Sequence, residues 1–341
     1  MHSSLPGLTR LSACKLTQLK QYAFLLGLST AGTKAELELG LQSHLAQRDD
    51  RVCNPGRILS VDMGIRNLAF CVLDTPTTTG DPLIVSAWKR MDLLQQPPAT
   101  DISSVAELST HTPKKPVKSA VPATAFTPSV LSHTAYKLTS ELLRYKPNTI
   151  LIERQRFRSG GAAAIQEWTV RVNMLESMIW ACLRALRETS ECKEDFPKVH
   201  EVLPARVAGF WTASDQEQRK VVGDVFESIN VPPEQGKIIV PTRKIDKKAK
   251  IAVVHSWLRQ KSTVDNDVSL VFEGDADGVA TAFRSAGQKT TIRKSATDKA
   301  DKTAGGEIGK LDDLADCLLQ AVAWARWREN RSHMIAILEK R

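Results

Sequence analysis

No apolar run in this 341-residue chain is long enough to cross a bilayer as a helix, which takes about 20 consecutive apolar residues. The six cysteines, Cys14, Cys53, Cys71, Cys182, Cys192 and Cys317, contain no C-x-x-C pair. That excludes the common zinc-site spacings and gives no disulfide framework. No internal repeat is present, which removes solenoids and propellers. The histidines after His2 are scattered, none pairs with a nearby cysteine or serine in a nucleophile arrangement, and they are assigned no role. No acid occurs from Met1 to Lys34, while Arg10, Lys15 and Lys20 do. An acid-poor, basic, serine-containing start has the composition of an organelle transit peptide. Helical patterning begins almost at once, so only residues 1–11 are left as a possible targeting segment.

What the chain does have is the composition of a soluble globular protein, 42% hydrophobic and 25% charged. A formal net charge of +9 favours an anionic partner, nucleic acid being the commonest. The length allows one large domain and a small one.

Residues 12–48 read as a small helical unit. Leu16, Leu19, Ala23 and Leu26 recur at helical spacing, and a second helix carries Leu37, Leu39, Leu41 and Leu45. Thr33 followed by Glu36 has the spacing of a capping box. The stretch Gly27-Leu-Ser-Thr-Ala-Gly32-Thr-Lys34 between them resembles the loop of SAP domains. That resemblance implies a second-helix N-terminus, with Lys34, set against a DNA backbone. A helical hairpin used for protein contacts is the other reading.

The main domain, 57–330, opens on Arg57-Ile-Leu-Ser-Val-Asp62-Met-Gly64. This apolar, β-branched run is bounded by turn residues and reads as a buried strand, with Asn67 to Leu73 as its antiparallel partner. Pro82 to Trp88 supplies a third strand, Ser129 to Arg144 a helix and Thr149 to Glu153 a fourth strand. A long helix from about Ala162 to Leu186, a fifth strand from Val199 to Leu203 and a helix beyond Lys250 follow. The late helix starts at Leu311. Residues 95–128 and 261–307 have the biased composition of disordered insertions, and 331–341 reads as a basic C-terminal tail.

Carboxylates sit where packed core should begin. Asp62 and Glu153 each close a buried strand, and a buried carboxylate is unfavourable unless paired or metal-bound. Asp312, Asp313 and Asp316 open the late helix. Capping the helix dipole would account for Asp312 and Asp313, but Asp316 continues among Leu314, Ala315, Leu318 and Leu319. A set of hard oxygen donors suits magnesium or manganese. Two such ions about 3.5–4 Å apart can activate water and stabilise a leaving oxygen.

The order strand–acid, hairpin, strand–Glu, helix with Asp-Asp-x-x-Asp resembles the ribonuclease H-like superfamily. Asp62-Met-Gly-Ile-Arg-Asn-Leu-Ala-Phe, Ile152-Glu-Arg-Gln-Arg-Phe-Arg-Ser-Gly, Glu167-Trp-x-x-Arg-Val-Asn and Lys310-Leu-Asp-Asp-Leu-Ala-Asp resemble the fungal mitochondrial Holliday junction resolvases, relatives of the bacterial RuvC enzymes. The resemblance implies an α/β fold with a mixed five-stranded sheet and helices on both faces. It also implies a homodimer cutting four-way DNA junctions in mitochondria, with a nuclear location as the alternative. Asp62, Glu153, Asp313 and Asp316 would hold two magnesium (or manganese) ions, with Asp312 competing with Asp313. A basic residue near the scissile phosphate falls among Lys247, Lys248 and Lys250. Arg154, Arg156 and Arg158, alternating around Phe157, suit phosphate contacts. Two rivals remain: a ribonuclease H-like nuclease for other branched or hybrid substrates, and a non-catalytic DNA-binding architectural protein.

Overall fold

The computed structural model describes residues 7–47, 56–78, 80–94, 123–155, 166–212, 247–259, 268–288 and 311–339. Strands β1 (Arg57–Asp62), β2 (Leu68–Asp74) and β3 (Leu83–Met91) form an antiparallel meander. Strands β4 (Thr149–Glu153) and β5 (Lys198–Val202) add in parallel beyond β1, and β6 (Leu270–Phe272) adds in parallel to β3. The sheet order is β5-β4-β1-β2-β3-β6. The sheet therefore has six strands where the sequence suggests five.

Both faces are covered, so β1 and β2 read as continuous apolar runs and not as alternating ones. Alternation still decides which residue faces which layer. Leu59, Val61, Phe70, Val72, Ile150 and Ile152 pack under α4 (Pro128–Leu143) and α5 (Glu167–Thr189). Ile58, Ala69, Cys71 and Leu151 face the opposite layer. That layer holds α6 (Pro204–Thr212), α7 (Lys247–Arg259), α8 (Asp275–Gln288) and the long α9 (Leu311–Glu339). Ser60, Asp62 and Glu153 share the parity of this second set, so they point toward α9.

Helix α9 is pinned at three levels. Trp88 Nε1 donates to Leu314 O at 3.0 Å, Trp211 Nε1 to Leu319 O at 2.9 Å, and Gln320 Nε2 to Ser60 Oγ at 3.0 Å. The two indole bonds let Trp88 and Trp211 be fully buried without an orphaned donor.

The N-terminal helices are α1 (Arg10–Ala13), α2 (Leu16–Leu25) and α3 (Lys34–Ala46). The Thr33–Glu36 capping box forms, with Thr33 N donating to Glu36 Oε2 at 2.7 Å and Glu36 N to Thr33 Oγ1 at 3.4 Å. Leu39 is a correction: it is 68% exposed, because the core-facing stripe of α3 is Leu37, Leu41 and Leu45. Of the possible targeting segment 1–11, residues 7–11 are described: Leu11 is fully buried and Gly7 lies against the backbone of Leu338.

The basic tail assigned to 331–341 is instead the last turns of α9, described to Glu339. Met334, Ile337 and Leu338 close the core of the N-terminal unit together with Leu19, Tyr22, Leu37 and Leu41. Arg331 donates to His44 O and Leu45 O at 3.2 Å and to Gln47 O, satisfying carbonyls at the end of α3. Asn330 Nδ2 donates to Leu25 O at 2.8 Å. The N-terminal unit is therefore built partly from the C-terminal helix.

The 261–307 window, expected to be a disordered insertion, is a further correction over its described part, 268–288. It contains β6 and α8, whose Ala276, Ala280 and Phe283 pack with Trp88. The apolar face of α8 is mostly alanine, so the polar composition around it hides a genuine i, i+4, i+7 pattern. Within 95–128, residues 95–122 lie outside the described ones. A 3₁₀ turn at Ala123–Phe126 leads into α4, and the guanidinium of Arg171 lies 3.8 Å above the Phe126 ring. Among the described residues no helix is long and apolar enough to cross a membrane.

Candidate active site

Val61 of β1 pairs in parallel with Ile152 of β4. The next residues, Asp62 and Glu153, therefore end side by side on adjacent strands, which lie about 4.8 Å apart. The chain leaves β1 through a tight turn. A Cβ on Gly64 would come 2.9 Å from Asn67 O, so a side chain there would force the turn open. Across the second layer, the start of α9 brings Asp316 to the same point. One carboxylate oxygen each from Asp62, Glu153 and Asp316 lies within 4.8 Å of the others.

The three acids and their neighbours oppose each other's charge. Asp62 is 8% exposed. Burial raises its carboxyl well above the ordinary range, and Glu153, Asp316 and Asp313 push it further. Lys250 acts in the other direction. Asp316 is also raised by burial, offset in part by Lys250, whose Nζ lies 2.8 Å from its carboxylate. Such a cluster favours a bound cation, and all its donors are hard carboxylate oxygens at converging positions. The donor set fits a divalent, oxygen-preferring metal.

The other sequence candidates divide clearly. Asp313 does not join the three-oxygen set, although its charge reaches Asp62. Asp312 forms an ion pair with Lys247, raising the lysine's pKa through that hydrogen bond. Lys248 is exposed in the first turn of α7. Arg154 follows Glu153 directly and lies 3.4 Å from Glu201 of β5. Arg156 and Arg158 lie outside the described residues. Lys34 starts α3 and does not belong to the acid set: its Nζ donates to Ser12 O at 3.0 Å, tying α3 to α1.

Two supporting residues were not anticipated. Gln320 ties α9 to β1 through Ser60 Oγ at 3.0 Å and Val61 O at 3.4 Å. A glutamine inside Leu318-Leu-Gln-Ala-Val-Ala323 is a visible interruption of an apolar run and could have been noticed. Glu176 of α5 accepts from Gln155 N at 3.3 Å, steadying the backbone two residues past Glu153. Burial raises its carboxyl. Nothing local in the sequence marks it, since charged residues are common on that helix.

The family described as mitochondrial resolvase Ydc2 / RNA splicing MRS1 matches residues 58–334. The mitochondrial cruciform cutting endonuclease 1 of Schizosaccharomyces pombe is 29% identical over 205 residues, 60% of this chain and 69% of that protein. Its namesake from Saccharomyces cerevisiae is 23% identical over 340 residues, 96% of this chain and 86% of that protein. In fold, the chain is similar to the crystal structure of the yeast mitochondrial Holliday junction resolvase Ydc2. The TM-score is 0.51 at 22% identity, over 96% of this chain and 98% of the other. That likeness supports the ribonuclease H-like architecture expected from the order of strands and acids. The match runs from the second residue of β1 almost to the end of α9 and so takes in Asp62, Glu153 and Asp316. This chain belongs to the Ydc2/MRS1 family.

Proposed function

We propose that this chain is a metal-dependent endonuclease that resolves four-way DNA junctions in mitochondria. The family description joins a resolvase to an RNA-splicing protein, so membership alone does not decide between cutting and binding. The convergence of Asp62, Glu153 and Asp316 carries the choice. A scaffold that only bound nucleic acid would gain nothing from three mutually repelling carboxylates at its strand ends.

Asp62, Glu153 and Asp316 would hold the metal, magnesium by preference and manganese as the alternative, with two ions per site. Asp313 is the fourth ligand in this reading, because Asp312 is engaged by Lys247. Bound there, the metal would supply activation of water and stabilisation of the oxygen leaving the phosphodiester, which would give 5′-phosphate and 3′-hydroxyl ends. The protein's own part is to align the acids through β1, β4 and α9 and to place a cation beside the scissile phosphate. Lys250, already among the acids, is the residue positioned for that role; Lys247 and Lys248 lie further out. Arg154, Arg156, Arg158 and the SAP-like helices with Lys34 add phosphate contacts, so binding should weaken steeply with salt.

Resolution needs two matched cuts, which a C2 homodimer supplies. Support for a second copy comes from α5. Its Val170, Met174, Met178 and Ala181 line an open trough. Trp168 and Val170 on the same helix are each 40% exposed. The relatives are named mitochondrial, and the acid-poor N-terminus agrees with that location.

The test is a cleavage panel of four-way junctions, flaps, duplexes and RNA–DNA hybrids, with and without magnesium. Preferential, magnesium-dependent cutting of the junction is expected, abolished in Asp62→Asn and Asp316→Asn with junction binding kept. Equal or better cutting of another substrate would replace the junction by that substrate. Binding without any cutting would leave an architectural protein.

A further inference from the structure

We propose a second nucleic-acid site, a cleft that takes an unpaired nucleotide segment at the outer edge of the sheet. It does not depend on the nuclease reading. The cleft, about 550 Å³, lies between the ends of α2 and α3, the edge strand β5 and the middle of α9. Its volume is in the range of small-ligand sites, about 300–1,000 Å³, and holds a nucleotide or two but not a duplex arm.

Its lining joins ring faces to cations. Trp180, His200, Trp324 and Trp327 contribute rings, with His200 and Trp324 centroids 4.6 Å apart and Trp324 and Trp327 6.3 Å apart. Lys198, Arg206, Arg328 and Arg331 contribute positive charge against one acid, Glu201, which faces Arg154. Arg206 and Arg331 also build the wall, donating to Gly27 O and to the carbonyls ending α3. Trp324 Nε1 and Trp327 Nε1 are buried without a hydrogen-bond partner among the described residues, and unsatisfied buried donors are uncommon in a finished core. Ring platforms within a cationic groove are the chemistry of single-stranded nucleic-acid binding, in which bases stack and phosphates meet lysine and arginine.

The position also suits a strand. Glu201 stands at the lip of the cleft beside Arg154, one residue along β5 from Val202, the register partner of Glu153. From Glu201 the cleft follows β5 back to Lys198, about 10 Å at strand rise. Along α9, Asp316 and Arg328 are separated by about 18 Å at helical rise. An unpaired strand passing the acids would reach the cleft within a few nucleotides.

The test uses the full chain in EDTA, so that no cleavage occurs. The probe is an oligothymidylate of about six nucleotides carrying 5-iodouracil. Binding is read by quenching of tryptophan fluorescence, and location by photocrosslinking and peptide mapping. The expected result is quenching and crosslinks to peptides carrying Trp180 or Trp324, competed by unlabelled single strand but not by duplex. Lys198→Glu combined with Arg328→Glu, two charge reversals at the cleft wall, should weaken the binding at least about tenfold. Crosslinks confined to peptides around Asp62, Glu153 and Asp316, or equal competition by duplex, would overturn the proposal. So would competition by thymidine monophosphate as effective as by the oligomer, which would make the cleft a free-nucleotide site. The crosslink map of the unaltered chain decides the matter even if the charge-reversal variant folds poorly.

Discussion

Gln320 Nε2 and Ser60 Oγ meet at 3.0 Å in the buried seam between α9 and β1. Ser60 stands two residues before Asp62, and Gln320 stands one helical turn after Asp316. This bond thus joins the two elements whose acids must converge. Gln320→Leu leaves the Ser60 hydroxyl buried and unpaired, which costs about 1–3 kcal/mol. The double variant Ser60→Ala/Gln320→Leu removes both partners and should recover part of that loss, with a coupling of at least about 0.5 kcal/mol in urea unfolding. Junction cleavage by Gln320→Leu should fall more than junction binding. Additive stability losses, or unchanged cleavage, would show that the pair does not set the register of α9 on β1.

Most of this architecture is legible in the sequence because it is written in long-range order along strongly apolar segments. The β1 and β4 runs, their closing acids and the Asp-Asp-x-x-Asp start of α9 stand out as residue patterns, and one oxygen each of Asp62, Glu153 and Asp316 comes within 4.8 Å of the others. What stays hidden depends on tertiary partners. Leu39 looks like a core leucine, but it lies on the exposed side of α3, away from Leu37, Leu41 and Leu45. The face of α8 is alanine, which carries little hydropathy until Trp88 and the rest of the layer pack on it. The end of α9 looks like a basic tail because Arg331 has no visible reason to be buried. Its reason is the row of carbonyls ending α3, contributed from nearly the other end of the chain. Asp312 and Asp313 could not be separated by spacing, since both are within helical reach of Asp316; the pairing of Asp312 with Lys247 is a tertiary contact that spacing does not show.

The acid cluster should destabilise the metal-free protein. The Asp62 carboxyl is raised by burial and then by Glu153, Asp316 and Asp313, whereas in the unfolded chain it titrates near about 3.9. Between those two values the fold binds more protons than the unfolded state, so stability falls as pH rises. Asp62→Asn removes that penalty. In EDTA at neutral pH it should raise the melting temperature, about 2–4 °C for each kcal/mol relieved, and flatten the decline above about pH 4. Magnesium should stabilise the unaltered protein by mass action and leave Asp62→Asn nearly unmoved. A lower melting temperature for Asp62→Asn in EDTA would contradict the proposed repulsion.

Lys250 and Lys247 begin the same helix but stand in different surroundings. Lys250 is mostly buried and 2.8 Å from the Asp316 carboxylate; Lys247 is largely exposed beside Asp312. Lys250→Met removes positive charge from within the acid set. It should lower cleavage about 10²–10³-fold, the scale of losing one group that stabilises developing charge. It should also lower stability in EDTA, with magnesium restoring most of the loss. Lys247→Met breaks an exposed pair worth about 0–1 kcal/mol and should change the rate less than about tenfold. Single-turnover cleavage at saturating enzyme separates the two effects. Equal losses would remove Lys250 from the site and leave both lysines as general phosphate contacts.

Gly27 closes α2 with φ at +68°, and a Cβ built there would lie 2.3 Å from Trp327 Cδ2. Both constraints bear on the joint between the N-terminal helices and α9. An alanine in the left-handed region is disfavoured by about 1–2 kcal/mol, and the indole cannot retreat easily because Phe210 packs edge-on against it. Gly27→Ala should therefore loosen the joint locally. In hydrogen exchange, protection should fall together in α2, α3 and the end of α9, because Tyr22, Leu41, Met334 and Leu338 share one core. Strands β1 and β4, buried in the layers around the sheet, should keep theirs. Leu39→Ala, on the exposed side of α3, should stay within about 0.5 kcal/mol of the unaltered protein. If exchange instead rose evenly across the chain in Gly27→Ala, the N-terminal core would be part of the same cooperative unit as the sheet. If α2 loosened while the end of α9 did not, the packing of Met334, Ile337 and Leu338 would contribute little to holding the unit in place.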